Sequence, residues 1–311
     1  MRKNIISILI LLILAMQLIS FSKALEPTPP QSEETSEVQV GLYLLNLGKF
    51  DIATGSFTAD FYLDFQCEEK CPPFDFEFMN GRASSMEKII DEDNEKFYRI
   101  QANLNSPVNL RSFPFDRQEM QIIIEDKKST RDTLIYVPNN EETGIDESIT
   151  FTGWSLGQWT AEEREHDYIV YDESYSQYVL TIPIERIKIN SILKTFLPVI
   201  FILLVMLTGF FLDTDKILTR LTMAGSALVA CVMFHISISN QIPPVGYLTF
   251  ADKFMVLTYL IVLLSFGLNV IMLKLQDFKK KELVDKIHRY TEYSMFIIVA
   301  ILYALLFAFG M

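Results

Sequence analysis

Four apolar stretches occupy the second part of this 311-residue chain, at about residues 192–212, 217–238, 254–273 and 293–311. Each is close to the roughly 20 residues that a helix needs to cross a bilayer. No comparable stretch occurs between residues 38 and 190. A segment in hydrocarbon must satisfy its own backbone, and a helix does so without partners. The chain therefore divides into a polar domain over residues 38–190 and a four-helix transmembrane domain over residues 191–311.

Charge orients the two parts. Residues 25–190 carry 32 acidic and 14 basic side chains, whereas residues 191–311 carry 7 acidic and 10 basic. The linker before the fourth stretch holds Lys274, Lys279, Lys280, Lys281 and Lys286. Positive loops stay on the cytoplasmic side. This places the N-terminal domain and the turn at 239–247 outside, in a multi-pass protein of the plasma membrane. Residues 1–24 have the form of a signal peptide: Arg2 and Lys3, then an apolar run, then Ser22-Lys23-Ala24. The competing reading is a first membrane anchor, for which the run is short. Residues 25–37, with Pro27, Pro29, Pro30 and four glutamates, are expected to be a disordered linker.

Within residues 38–190 the pattern has period two. Phe57, Ala59, Phe61, Leu63 and Phe65 share one face, and Thr58, Asp60, Tyr62 and Asp64 the other. Further short strands are expected at 41–49, 120–125, 134–137, 153–159 and 178–184, separated by turn-formers such as Asn80-Gly81. Many short strands with few helical patterns predict an immunoglobulin-like β-sandwich, so the whole is an α+β multidomain membrane protein. Cys67 and Cys71 suit a small disulfide-closed loop in an exported domain; two free thiols or half a metal site are the alternatives.

Several functions are excluded by composition. With three histidines and three cysteines a multi-histidine centre or zinc finger has too few ligands, and neither a metal nor a cofactor is expected. A net charge of -12 argues against a nucleic-acid partner. No nucleotide-binding glycine motif, GxSxG elbow or HExxH is present, so the chain is not expected to be an enzyme.

In the second long helix Thr222, Ser226, Val229, Met233, Ile236 and Asn240 recur at spacings of three or four, making one stripe. It has hydroxyls at one end and apolar groups midway. Several copies around an axis would enclose a path with a hydrophobic constriction that closes by dewetting. Spacing alone leaves open the plainer reading, in which Thr and Ser bond backbone carbonyls or a neighbouring helix.

The segment Phe113-Pro114-Phe115-Asp116-Arg117-Gln118 resembles the central motif of the pentameric ligand-gated ion channels, the Cys-loop receptor superfamily. Arg186 precedes Pro198 as an arginine precedes the first-helix proline in that family, and Ile242-Pro243-Pro244-Val245-Gly246-Tyr247 is similar to its turn between the second and third helices. Phe76-Glu77-Phe78-Met79-Asn80 is similar to a ligand-loop segment of bacterial members. The resemblance spans about residues 38–311. Ser106 and Met120 stand where animal receptors carry the bracketing cysteines, and the linker before the fourth helix is short. Both features resemble the prokaryotic branch, which lacks the Cys-loop disulfide.

The resemblance implies a homopentamer in membrane lipid whose outer domain twists on binding a small-molecule agonist and opens a pore lined by the stripe. It implies a coupling layer holding Asp51, Phe115, Asp116, Arg186, Pro243 and Pro244. In that layer Asp51, Asp116 and Arg186 could share one buried charge cluster; alternatively Asp51 only caps a turn. It implies an agonist site between subunits below a hairpin at 166–177, lined by Phe76, Glu77, Phe78, Glu125, Tyr168, Tyr171 and Tyr175 and faced by Tyr62 and Arg99 of the next copy. Aromatics with carboxylates suit an amine.

The permeant ions are expected to be monovalent cations, because the acidic outer domain would concentrate them. If Arg220 marks the basic position at the helix start, the glutamate usual in cation-selective relatives is missing, since Thr219 and Leu218 precede it. Asp213 and Asp215 could form an acidic mouth instead. The alternatives are an anion-selective channel of the same family and a membrane-anchored receptor without conductance. His166 with Glu162, Glu163 and Glu165, and the run Asp91–Glu95, are candidates for proton or divalent-cation modulation, against the plainer reading of solvated turns. His235 lies off the stripe, where a bond between helices is expected.

Overall fold

A computed structural model describes residues 35–310. The signal-peptide expectation for residues 1–24 and most of the linker expectation for 25–37 lie outside the described residues. The N-terminal part is a two-sheet β domain. Its strands are β1 (Ser36–Leu47), β2 (Ser56–Gln66), β3 (Phe76–Phe78), β4 (Gly81–Asp91), β5 (Glu95–Asn105), β6 (Arg117–Asp126), β7 (Leu134–Pro138), β8 (Gly144–Ile145), β9 (Trp154–Leu156), β10 (Thr160–Tyr168) and β11 (Glu173–Arg186). One sheet has the order β4-β5-β2-β1-β7, with β8 also on β1; the other runs β10-β11-β6-β3, with β9 on β11.

Alternation builds the core between the sheets. Phe57, Ala59, Phe61, Leu63 and Phe65 of β2 are buried, as are Tyr98, Ile100, Ala102 and Leu104 of β5. From the other sheet Met120, Ile122, Ile124, Leu180, Ile182 and Ile184 join the same cluster. Phe61 meets Phe78 edge-to-face across it, at 5.8 Å between ring centres. Strand β4 is almost wholly exposed along its length. As a sheet edge with no buried face it has no alternation to read, and the sequence pattern missed it.

Four helical spans are long and apolar enough to cross a membrane: Lys188–Phe211, Thr214–Ser239, Phe250–Asp277 and Lys281–Phe309. The first consists of α1 (Lys188–Thr195), α2 (Leu197–Thr208) and a 3-10 turn. Pro198 sits in the first turn of α2, where its missing N–H costs nothing, and this explains the restart at Phe196. The others are α3 (Ile217–Ser239), α4 (Phe250–Asp277) and α5 (Lys281–Phe309). Helix α5 begins twelve residues before the expected boundary at 293, because its first three turns are polar and fall outside an apolar count. Helix α4 starts at a capping box: Thr249 Oγ1 accepts from the Asp252 N–H, and Asp252 Oδ2 accepts from the Thr249 N–H.

Cys67 and Cys71 form a disulfide with a Cα separation of 5.2 Å, and Cys231 is free and buried. The ring closes only a few residues. Chain entropy therefore assigns it about 2 kcal/mol. Replacing both cysteines with serine should lower the Tm of the β domain by roughly 5 °C in a nonreducing melt. An unchanged Tm would show that the loop is held by its other contacts.

Candidate functional site

Three groups of side chains are the candidates: a layer where the β domain meets the helices, a cleft under the β10–β11 hairpin, and the exposed face of α3.

The layer is built on the loop between β5 and β6. Asp116, with its side chain wholly buried, accepts a 2.6 Å hydrogen bond on Oδ1 from Arg186 Nε. Its Oδ2 accepts from Gln118 Nε2 at 2.8 Å. The Arg186 guanidinium lies over the Trp154 ring at 4.5 Å and the Phe113 ring at 5.1 Å. Phe115 stacks on Phe196 at 5.6 Å and also meets Phe250 and Phe307, so a single ring touches three of the spans. The loop then caps a helix. The N–H groups of Phe250 and Ala251, orphans at the start of α4, donate to the carbonyls of Arg111 and Phe113.

Asp51 does not belong to this cluster. It is exposed, and its carboxylate accepts from the Ala53 N–H at 2.9 Å and from Thr54 Oγ1 at 3.1 Å, the turn-capping alternative. Pro243 and Pro244 lie in the α3–α4 turn, but the turn's side-chain hydrogen bond to the β domain is made by Tyr247, whose hydroxyl accepts from the Leu110 N–H at 2.9 Å. Gln118 and Tyr247 lie inside the two segments that carry the resemblance and Trp154 inside an expected strand, but the sequence pattern gives none of the three a role of its own.

In the cleft, Glu125 of β6 is the centre. It is 2 % exposed; Oε2 is bonded to His166 Nδ1 at 2.8 Å and Gln177 Nε2 at 2.7 Å, and Oε1 accepts from the Tyr168 hydroxyl at 2.9 Å. Register explains the meeting, since Gln177 lies directly opposite Glu125 across the β11–β6 pair. Tyr168 and Tyr175 pack edge-to-face at 5.4 Å beside a 230 Å³ cavity, which Glu77 and Tyr171 also line. Burial, then the bond to Glu125, push the Tyr168 hydroxyl up to about 12. The walls carry Glu77, Glu125, Asp126 and Glu173, and their one cation, Lys127, is bound to Asp75 at 2.8 Å. The site is thus acidic and aromatic.

Phe76 and Phe78 are corrections to the expected lining. Both are buried in the sandwich core, because a three-residue strand that turns Glu77 outward must turn its neighbours inward. Tyr62 and Arg99 pair across β2 and β5 on the outer face of the other sheet, apart from this cleft within the chain. The carboxylates near His166 do not gather on it either. Glu162 pairs with Arg164, Glu163 and Glu165 both pair with Arg131, and His166 takes Glu125. In the acidic run, Asp91 pairs with Lys88 and Lys96, and Asp93 with Lys70. Among the described residues no three His, Cys, Asp or Glu side chains are grouped to hold a metal.

On α3, Thr222, Ser226, Val229, Met233, Ile236 and, just past the helix end, Asn240 are all exposed in the single chain. Val229 and Met233 are each 64 % exposed. Ala224, Ala227, Cys231 and Ile238 fill the opposite, packed face. Thr222 Oγ1 donates to the Leu218 carbonyl at 3.0 Å, so the stripe's first hydroxyl also bonds its own helix. Arg220 lies on the packed face of the helix. It is 2 % exposed, donates to the Leu212 carbonyl and meets His288 of α5 at 3.1 Å. His235 bridges helices as expected, through Tyr259 at 2.9 Å and Asp252 at 3.1 Å.

No protein-family model matches the chain. It is similar to a proton-gated ion channel of Gloeobacter violaceus, 22 % identical over 75 % of this chain and 72 % of that protein. It also matches ligand-gated ion channel 50 of Caenorhabditis elegans, 19 % identical over 59 % of this chain and 39 % of that protein. A third relative is pH-sensitive chloride channel 2 of Drosophila melanogaster, 24 % identical over 50 % and 31 % respectively. The chain thus spans less than two thirds of the animal relatives' length. These relatives are ion channels, a non-enzymatic class. With its sheet-rich N-terminal domain and four apolar spans, the chain is a multi-pass membrane protein similar in sequence to proton- and ligand-gated ion channels.

Proposed function

We propose that this chain is the subunit of a homopentameric ligand-gated ion channel of the prokaryotic type, in which binding at the outer domain opens a pore lined by α3. The observation that carries the reading is the unpaired stripe of α3. Its Ser226 hydroxyl and Asn240 amide would be costly against lipid tails, whereas Thr222 is satisfied by the Leu218 carbonyl. Around a water-filled axis they cost little, and Val229, Met233 and Ile236 then supply the apolar constriction. The cleft at Glu125 and Tyr168 is the agonist site in this reading, completed by Tyr62 and Arg99 of the neighbouring copy. Its chemistry suits an amine.

Selectivity for monovalent cations follows from the acidic N-terminal domain, which raises the local concentration of cations outside the pore. Burial of Arg220 takes its charge out of the inner turn, where Asp213 is exposed and Asp215 is paired with the exposed Lys216 at 3.0 Å. The second reading is anion selectivity, as in the chloride channel relative. Current recording from purified protein in bilayers, under a ligand and pH screen, tests the proposal. Silence under every condition would favour a receptor without conductance. Reversal potentials in asymmetric salt decide the sign of the permeant ion.

The cleft has its own expected result. Glu125→Gln keeps the shape and removes the charge. Loss of a charge-assisted bond of about 1.5–3 kcal/mol should raise the half-activating amine concentration by roughly tenfold or more, with the maximal current retained. An unchanged concentration–response curve would remove Glu125 from the agonist site.

A further inference from the structure

The disulfide ring that follows β2 is a weak staple. Its two cysteines stand four positions apart, and closing so short a loop removes little chain entropy. The backbone at both ends of the ring is anchored without the S–S bond. The Cys67 N–H donates to the Asn94 carbonyl at 3.0 Å and the Cys71 N–H to the Asp93 carbonyl at 2.8 Å, both in the β4–β5 turn. These bonds hold the two cysteines against one turn whether or not their sulfurs are joined. Access to the two differs. Cys71 is 7 % exposed, whereas Cys67 is half-buried and lines an open groove of about 430 Å³ with Glu68, Glu69 and Lys70. A thiol in solution therefore meets Cys67 first.

The segment after the ring leads straight to the cleft. Pro72 and Pro73 come next, and their fixed φ makes a stiff link. Phe74 packs on Phe65 of the core at 4.8 Å between ring centres. Asp75 is then tied to β6 and the turn after it at three points. Its N–H donates to Asp126 Oδ2 at 2.7 Å, its carboxylate holds Lys127 at 2.8 Å, and its carbonyl accepts from the Lys127 N–H at 3.0 Å. Asp126, Lys127 and Glu77 are all in the wall of the Tyr168 cleft, with Glu77 opposite Glu125 across the β3–β6 pair.

We propose that Cys67–Cys71 is a reversible thiol–disulfide exchange site for a soluble dithiol, and that its redox state sets how firmly residues 74–78 hold their wall of the cleft. A thiolate of the dithiol attacks Cys67 Sγ. The S–S bond breaks, and its electron pair leaves on Cys71 Sγ, which takes up a proton. The second thiolate of the dithiol attacks the mixed disulfide, so Cys67 leaves and is protonated in turn, and the partner departs as its own disulfide. Two electrons and two protons pass to the chain, and the reverse sequence restores the ring. Exposed disulfides are the exchangeable class. The effect on agonist affinity rests on the reading of the cleft as the amine site; the exchange does not.

Purified full-length protein in lipid nanodiscs, treated with dithiothreitol at pH 8 and then with iodoacetamide, tests this. Mass spectrometry should find Cys67 and Cys71 alkylated on the folded protein, with the buried Cys231 untouched. Hydrogen exchange of the amides of residues 74–78 should quicken roughly threefold or more while the core strands stay protected, and reoxidation with diamide should reverse it. Calorimetric binding of 2-phenylethylammonium should weaken about threefold in the reduced protein. The double variant Cys67→Ser with Cys71→Ser should exchange like the reduced protein and ignore dithiothreitol; should it not fold, the cycle of reduction and reoxidation on the wild type still decides. The proposal is overturned by absence of label on the folded protein, by label without faster exchange at 74–78, by global unfolding on reduction, or by a serine variant that still responds. No amine binding in either state, with exchange at 74–78 still following the redox state, would instead remove the cleft as the amine site.

Discussion

Arg186→Ala should abolish evoked current while agonist binding and membrane expression persist. The arginine is the only cation bonded to Asp116 among the described residues, and Asp116 is buried to its carboxylate oxygens. Removing one partner of such a pair typically costs about 3–5 kcal/mol, because the other charge stays behind without compensation. Here the cost falls on the layer that joins the β domain to α4. A channel whose opening is governed by a few kcal/mol would lose its coupling. Arg186→Lys should restore current only in part: an ammonium keeps the charge but cannot lie flat between the Trp154 and Phe113 rings. Radioligand or calorimetric binding, run beside voltage clamp, separates uncoupling from misfolding. Normal currents from Arg186→Ala would remove the pair from the gating path.

The second large effect is expected at Val229→Ser. Val229 lies midway along the exposed face of α3, between the hydroxyls and the Met233–Ile236 segment. In the fivefold reading each opening event wets five copies of this side chain. If a hydroxyl makes wetting easier by only about 0.3 kcal/mol per copy, five copies shift the opening equilibrium roughly tenfold. The half-activating stimulus should fall accordingly, with some current at rest. Unchanged or harder activation would place the constriction elsewhere, and Ile236→Ser would then be the informative variant.

Much of this organisation is legible in the chain itself, for physical reasons. The spans announce themselves because a bilayer demands an apolar run of fixed length. Strand β2 does so because one face is in the core and the other in water. The misses have equally local causes. Phe76 and Phe78 were expected in the cleft because aromatics near a carboxylate suggest a cation site; a three-residue strand is too short to reveal its phase. Arg220 is the candidate basic position at the helix start, and only its helical phase shows which way it faces: it falls in line with Ala224, Ala227, Cys231 and Ile238, the packed face. Asp51 was ambiguous between a charge cluster and a turn cap, and only the position of Arg186 decides. The network at Glu125 depends on the register of β6 against β11, which alternation constrains only to odd or even.

The two carbonyls offered to α4 by residues 111 and 113 have a consequence for engineering. The membrane part does not begin neatly where the last strand ends, since one of its helices borrows its first acceptors from the loop before β6. A hybrid receptor joined at residue 187 would present α4 with a foreign loop and leave those amides to whatever that loop provides. Grafts that carry residues 106–116 along with the spans keep the native seam. A panel of such hybrids would show whether the signal follows the loop or the strand junction.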